Sequence, residues 1–246
     1  MAEAWQEKAQ ATIERLRQAA RAHPGRIVYP CSFGVEGSLL IDLIHRAGLS
    51  IPVVTIDTGR LPQETFEVIE AIEERYRIRV QIVFPDCREV EQMVAEHGVN
   101  LFRRSVALRK LCCEVRKVRP LARVLANYDA WITGRRREQS EERKALPFVE
   151  RNDPVYRKIK YNPIADWTEK EVWAYVRAHD VPYHPLHDRF YRSIGCACCT
   201  RAIAAGEDPR AGRWWWESEE VAPECGLHVS SLRRPKPGEG EQGEGI

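Results

Sequence analysis

The chain has 246 residues, a length that suits one large domain or a domain with an appendage. Its hydrophobic content of 43% supports a packed core, and its 30% of charged residues nets to only +2, so bulk electrostatics give no case for nucleic acid or a membrane surface. The opening "MAEAWQEKAQATIERLRQAARAHPG" is charged throughout and lacks a signal-peptide core, and no uncharged apolar run of about 18 residues follows, so a cytoplasmic chain with no membrane span is expected.

Residues 5 to 20 place Trp5, Ala9, Ile13, Leu16 and Ala20 at helical spacing, and "HPG" stops that helix. "RIVYPCSF" is a short apolar run that predicts a buried strand, flowing through "GVEGS" into the helix "LLIDLIHRAG". "IPVVTID" predicts a second strand, followed by "TGRLPQ" and the amphipathic helix "ETFEVIEAIEERY". "RVQIVF" predicts a third strand, with a helix after Arg88. The pattern around Cys112 is helical through "RPLARVLANY", and "AWITG" predicts a fourth strand ending in a glycine turn. Beyond Gly134 come the charged loop "RRREQSEERKALPF", then "RKIKYNPI", the helix "TEKEVWAYVRAH" and a loop-rich C-terminal segment. Strand and helix alternate over short connections, which predicts an α/β fold: a mostly parallel sheet with helices on both faces. The final "PKPGEGEQGEGI" is low in complexity, and residues 230–246 are expected to form a disordered tail.

In open parallel sheets, ligands bind beyond the carboxyl ends of the strands. The loops "SFGVEGS", "DTGRLPQ" and "TGRRREQS" lie there. In the first, Gly34 and Gly37 allow tight backbone geometry, Ser32 and Ser38 offer hydroxyls, and the following helix offers free N–H groups to an anion. The loop is neither a Walker A sequence nor GxGxxG, and a structural turn would look the same. Arg135, Arg136 and Arg137 follow the fourth strand, a run that suits a solvated face as readily as a ligand site.

The eight cysteines are more specific. In a reducing compartment they are read as metal ligands or catalytic thiols rather than disulfides. Cys196 and Cys199 form a C-x-x-C pair, and Cys112 with Cys113 supplies two further thiolates, a set that suits tetrahedral zinc or an iron–sulfur cluster. Adjacent helical side chains diverge by about 100°, so Cys112 and Cys113 reach two corners of a bulky cluster more easily than they converge on one ion. Cys31 and Cys87, in or beside apolar runs, are expected to be buried structural residues. Cys225 stands alone in a polar stretch and is a candidate nucleophile where cations lower its pKa. Arg210 and Arg213, three apart, and Lys117, one turn beyond Cys113, could supply those cations.

The elements "SFGVEGS", "DTGRLPQET", "LCCEVRKVRPL", "WITGRRREQS", "YNPIADWTEKEVWAY", "SIGCACCTR", "GRWWWE" and "ECGLH" together resemble the assimilatory sulfonucleotide reductases, in particular the thioredoxin-using adenylyl-sulfate (APS) reductases, from about residue 25 to 229. The resemblance implies an adenine-nucleotide α-hydrolase-like fold, one domain over residues 1–229 with an active-site segment at about 196–229, and reduction of adenosine 5′-phosphosulfate to sulfite and AMP in sulfate assimilation. It implies one [4Fe-4S] cluster per chain, held by Cys112, Cys113, Cys196 and Cys199, and Cys225 as nucleophile forming an S-sulfocysteine. Lys117, Arg143, Arg210, Arg213 and His228 would face the phosphosulfate, and Ser32, Gly34, Gly37, Thr58, Leu61 and Gly134 would hold the adenosine and its phosphate. Thioredoxin or glutaredoxin is the implied reductant and a homo-oligomer the implied assembly. Cys198 falls inside the C-x-x-C, where the family pattern has a non-ligand residue. Two other readings stay open: a 3′-phosphoadenylyl-sulfate (PAPS) or dual-specificity reductase, and a non-catalytic zinc-binding module.

Overall fold

The computed structural model describes residues 4–217; Cys225, His228 and the expected tail lie outside them. The strands β1 (Ile27–Pro30), β2 (Val53–Ile56), β3 (Val80–Val83), β4 (Ala130–Ile132), β5 (Val149–Glu150) and β6 (Ile159–Tyr161) form one sheet, in the order β3-β2-β1-β4-β6-β5. All neighbours are parallel except β5 with β6. The helices are α1 (Ala4–Ala22), α2 (Val35–Arg46), α3 (Gln63–Tyr76), α4 (Cys87–His97), α5 (Val106–Cys113), α6 (Arg119–Leu125) and α7 (Glu169–Ala178).

Alternation along the strands covers both faces of the sheet. Ile27 and Tyr29 of β1 join Val53 and Ala130 in a core packed by apolar residues of α1, α2, α3 and α7. Val28, Val54 and Trp131 point the other way, onto Leu121, Val124 and Leu125 of α6. The expected strand–helix alternation therefore holds from β1 to β4. "RKIKYNPI", for which no strand is expected, supplies β6, and β5 pairs with it antiparallel, Val149 opposite Tyr161 and Glu150 opposite Lys160. These short, charged strands carry no alternating apolar signal. Lys160 is nonetheless fully buried, paired to Asp153 and set 4.8 Å from the Trp131 ring, and burial lowers its pKa against the opposing pull of that carboxylate.

Polar contacts lock the helical layer. The buried Asp42 of α2 accepts hydrogen bonds from Tyr76 Oη of α3 at 2.9 Å, from Tyr175 Oη of α7 and from Arg46 at 2.6 Å. Cys31 is buried as expected, but Cys87 is exposed. The correction has a simple cause: Asp86 caps α4 by accepting from Glu89 N–H at 3.1 Å, which makes Cys87 the first residue of an outward-facing turn. No helix among the described residues is long and apolar enough to cross a membrane.

One irregularity positions the site. Between α5 and α6, residues Glu114–Val118 form a π-helical turn, with Arg119 N–H donating to Glu114 C=O five residues back. Pro120 is its sequence cause. Proline lacks the N–H that would bond four residues back, and its ring clashes with that carbonyl; a widened turn relieves both. Cys112, Cys113 and Lys117 stand at or in this turn.

Candidate active site

The sheet builds outward from β1 in both directions, through β2 on one side and β4 on the other. A crevice opens beyond the carboxyl ends of two such strands. A cleft of about 1010 Å³ lies there, and Ser32, Gly34, Gly37, Leu61, Gly134, Arg143, Lys117, Arg210 and Arg213 all line it. Thr58 does not; it is buried beside the thiols described below. Ser38 is also buried beneath the loop, and its hydroxyl has no hydrogen-bond partner among the described residues.

The floor is the turn from β1 into α2. A Cβ on Gly37 would stand 2.7 Å from Cys31 Sγ, so only glycine lets the helix begin this close to the strand. Phe33 is buried with φ at 57°, a left-handed conformation that costs a bulky residue energy and marks the loop as strained. Burial pushes the Cys31 thiol up to about 12, so it stays protonated and is no nucleophile. Val35 N–H at the start of α2 donates to His187 Nε2 at 3.2 Å. Burial lowers the His187 pKa despite the nearby Glu36 carboxylate, in keeping with a neutral, accepting nitrogen.

The arginines after β4 are not a solvated face. Arg135, Arg136 and Arg143 are all buried. Arg136 donates through Nε and Nη2 to Glu36 Oε1 at 3.0 and 2.8 Å, and Gln139 Nε2 reaches the same oxygen at 3.0 Å. Gln139 Oε1 in turn accepts from Arg143. Burial alone would raise the Glu36 pKa; the Arg136 guanidinium outweighs it and holds the carboxyl below its ordinary value. Arg135 pairs with the buried Glu150 at 2.9 Å, and Asn162 Nδ2 also donates to Glu150. The guanidinium charge beside the cleft is thus largely matched inside the protein.

On the opposite wall, Arg213 lies flat against Gly195, where a Cβ would come within 2.4 Å of its guanidinium. It donates to Ser193 Oγ at 3.3 Å and Ile194 C=O at 3.4 Å, and it stacks 4.8 Å from the Trp214 ring. Behind this wall is a small chamber of about 20 Å³ lined by Cys112, Cys113, Cys196, Cys198 and Cys199. Arg60, Arg109, Arg116 and Lys117 supply cations to it. Lys117 therefore lines both the cleft and the thiol chamber.

Helix α5 with its π turn carries two of these thiols; a short 3-10 turn at Ala197–Cys199 carries Cys198 and Cys199, and Cys196 precedes it as the N-cap. Thr58 Oγ1 lies 3.2 Å from Cys196 Sγ, and Thr58 C=O accepts from Arg116 at 2.6 Å. Cys198 and Cys199 share an S–H···S contact at 3.8 Å, and Arg60 reaches Cys198 at 3.8 Å. That contact, with Arg60, holds Cys198 down to about 6, while the same contact and burial drive Cys199 up. No group of three or more His, Cys, Asp or Glu side chains poised to hold one ion occurs among the described residues. The thiols are distributed around a wall, ringed by cations, and the buried Trp214 indole N–H packed with them has no hydrogen-bond partner among the described residues. The chemistry of that donor set suits an anionic, thiolate-bound group.

Glu36, Arg60, Arg109 and Trp214 belong to this site but were not singled out in the sequence. Arg109 had a readable signal: it stands three and four residues before Cys112 and Cys113 on one helix, so it shares their face. Glu36 sat in plain view inside "SFGVEGS", where attention goes to glycine and serine.

Residues 26–202 match the phosphoadenosine phosphosulfate reductase domain. An adenosine 5′-phosphosulfate reductase of Burkholderia cepacia is 47% identical, over 95% of this chain and 93% of its own length. A crystal structure of phosphoadenylyl-sulfate (PAPS) reductase from Candida auris, in complex with phosphate, superposes with a TM-score of 0.67 at 28% identity, over 78% of this chain and 90% of that one. FMN adenylyltransferase of Candida glabrata with ATP superposes with a TM-score of 0.58 at 16% identity, over 80% of this chain and 64% of that one, a likeness of fold alone.

Proposed function

Because the chain belongs to the phosphoadenosine phosphosulfate reductase family, we propose that it reduces adenosine 5′-phosphosulfate to sulfite and AMP, with a dithiol protein such as thioredoxin as reductant. The observation that carries this reading is the shared position of Lys117, which joins a nucleotide-sized cleft to a chamber of thiols.

The cleft accounts for binding. The α2 loop and Gly134 offer backbone to the nucleotide at the switch point, and Leu61 offers an apolar contact. Lys117, Arg210 and Arg213 face the same space, where a phosphosulfate would need cations. Arginine suits bidentate contact with phosphate and sulfate oxygens.

The Cys225 thiolate attacks the sulfate sulfur. An S–S bond forms, the sulfur–oxygen bond to the phosphate breaks, and AMP leaves with the electron pair. A thiolate of the reductant then attacks Cys225 Sγ, and sulfite departs with the bonding pair. The second thiol of the reductant resolves the mixed disulfide, so two electrons pass from the dithiol to the substrate. The barrier is mainly repulsion between a thiolate and an anionic group, which Lys117, Arg210, Arg213 and His228 would offset. Cys112, Cys113, Cys196 and Cys199 are the residues that would hold a [4Fe-4S] cluster, with Thr58 and Trp214 as hydrogen-bond donors around it. Such a group supplies charge and polarisability beside Lys117.

Anaerobic protein incubated with adenosine 5′-phosphosulfate and no reductant should show a sulfite-sized mass adduct on Cys225, released by reduced thioredoxin. Iron-replete protein that forms no adduct, or a Cys225→Ser variant that turns over, defeats the mechanism.

A further inference from the structure

Among the described residues five thiols line the chamber, and a [4Fe-4S] cluster takes four. Cys198 is the extra one. Its Sγ stands 3.8 Å from Cys199 Sγ, at sulfur–sulfur contact. Thiolates on two different irons of one cluster stand much further apart, because each extends outward from its own corner. Cys198 and Cys199 as they stand therefore cannot take two corners, but both can serve the same one. Adjacent side chains of a 3-10 helix leave its axis about 120° apart. Contact between these two sulfurs means that both side chains turn toward one place. Cys196, before the turn, is held separately, with Thr58 Oγ1 at 3.2 Å from its sulfur.

We propose that Cys198 is a reserve ligand for the iron that Cys199 would hold, so that one corner of the cluster has two thiolates to choose between. The inference rests on the reading of the chamber as a four-thiolate iron–sulfur site. Two features set the order of preference. Cys199 is buried and its backbone is tied on both sides: its N–H donates to Cys196 C=O at 2.9 Å, and its C=O accepts from Trp214 N–H at 3.4 Å. Cys198 is half-buried, and Arg60 Nη1 lies 3.8 Å from its sulfur. Arg60 is itself fixed, donating through Nη2 to Val99 C=O at 2.6 Å and lying 5.2 Å from the Phe102 ring centre. A fixed cation beside the spare thiol gives it a partner outside the ligand set while Cys199 is in place.

With Cys199 removed, Cys198 has only a short distance to turn. Its sulfur already lies at contact distance from the position that the missing thiolate held. Binding passes the Cys198 proton to solvent, forms one iron–sulfur bond and changes no oxidation state. Cys112 sits on α5, across the chamber from this turn, so a loss there is not made good in the same way.

The test measures iron, acid-labile sulfide and visible absorbance in anaerobically prepared wild type, Cys112→Ala, Cys198→Ala, Cys199→Ala and the double variant Cys198→Ala/Cys199→Ala, with thermal unfolding to establish that each is folded. Cys198→Ala should keep wild-type iron and Cys199→Ala at least half of it. The double variant and Cys112→Ala should fall tenfold or more. Iodoacetamide labelling of the same samples, read by fragmenting the peptide that holds both residues, reports the exchange directly. Cys198 should be alkylated in wild type and at least fivefold more slowly in Cys199→Ala. If Cys199→Ala does not fold, Cys199→Ser decides by the same labelling, since a thiolate outcompetes a serine hydroxyl for iron. A Cys199→Ala variant that loses iron as fully as the double variant overturns the inference. So does one that keeps iron with Cys198 alkylated at the wild-type rate. Wild-type protein that carries zinc in place of iron and sulfide overturns instead the cluster reading beneath it.

Discussion

Glu36, on the first turn of α2, accepts both Nε and Nη2 of Arg136, which follows β4 a hundred residues later in the chain. The pair bridges the two strand ends that open the cleft, and through Gln139 it also holds Arg143. Glu36→Gln keeps the shape but loses the charge, and hydrogen bonds to charged groups contribute about 1.5–3 kcal/mol. Equilibrium unfolding should register a loss of that order. It should also register a change in acid sensitivity. The folded-state pKa of Glu36 is depressed, so its contribution is complete above the ordinary carboxylate range and is lost as pH falls through the folded value. The same variant removes one of the two carboxylates that hold Arg136, Glu138 at 2.9 Å being the other, and so leaves the guanidinium with more charge to offer an added phosphate. The ratio of 3′-phosphoadenylyl-sulfate to adenosine 5′-phosphosulfate turnover should therefore rise, and an unchanged ratio would show that Arg136 does not face that part of the substrate.

His184 gives a second pH handle. Burial, reinforced by His187, pushes its pKa down to about 4 from the ordinary 6.5. Its Nδ1 accepts from Leu186 N–H at 3.3 Å and its Nε2 lies 3.1 Å from Thr65 Oγ1, so the neutral ring is the one that fits. Above pH about 6.5 both folded and unfolded chains keep it neutral and its contribution is complete. Between there and about 4 only the unfolded chain takes the proton, so stability falls by about 1.4 kcal/mol per pH unit from this group. Urea midpoints at pH 7.5, 6.5 and 5.5 should trace this slope, and His184→Asn, which keeps an acceptor for Leu186, should flatten it.

Gly195 is predicted to be a catalytic liability rather than a stability one. Alanine there meets only the end of the Arg213 side chain, which can swing aside. The fold should survive with little change in Tm. Arg213 would leave its place in the cleft wall, and misplacement of a charged group by about 1 Å can cost 10²-fold. Turnover of Gly195→Ala should fall by about one to two orders of magnitude with iron content intact, and a fully active variant would remove Arg213 from the mechanism.

Pro120→Ala tests the π turn. Alanine restores an N–H donor and raises helix propensity, so the segment gains freedom to wind as ordinary α-helix. That rewinding would rotate Cys112 and Cys113 relative to Lys117. The expected outcome is lower iron retention and weaker AMP binding without global unfolding, with amide exchange changed across residues 114–120. Normal iron content and AMP affinity would show that the turn does not depend on the proline.

Much of this architecture was legible because apolar strands and amphipathic helices alternate up to Ile132. The two thiol groups were legible because cysteine is rare and its spacing is specific. What escaped shares one physical trait: buried charge. Arg109, Arg135, Arg136 and Lys160 look like surface residues in sequence; the partners of Arg109 and Arg136, Glu217 and Glu36, lie a hundred or more residues away, and those of Arg135 and Lys160, Glu150 and Asp153, sit among other charged residues that mark no pairing. Lys160 hid a strand for the same reason, since a lysine in "RKIKY" argues against burial. Cys87 failed in the other direction: an apolar neighbourhood suggested an interior, but the cap at Asp86 set the helix face.

The thiol chamber draws Cys113 and Cys196 together across about 80 residues of chain, and a group bonded to both would close that stretch into a ring, removing roughly 4.5 kcal/mol of unfolded-chain freedom by the entropy of loop closure. The ring contains α6, β4, β5, β6 and α7, half of the sheet and a covering helix on each face. A group held by these thiols would thus also be a staple. Its loss would slacken the β4 side of the nucleotide cleft even though no residue of that side touches it.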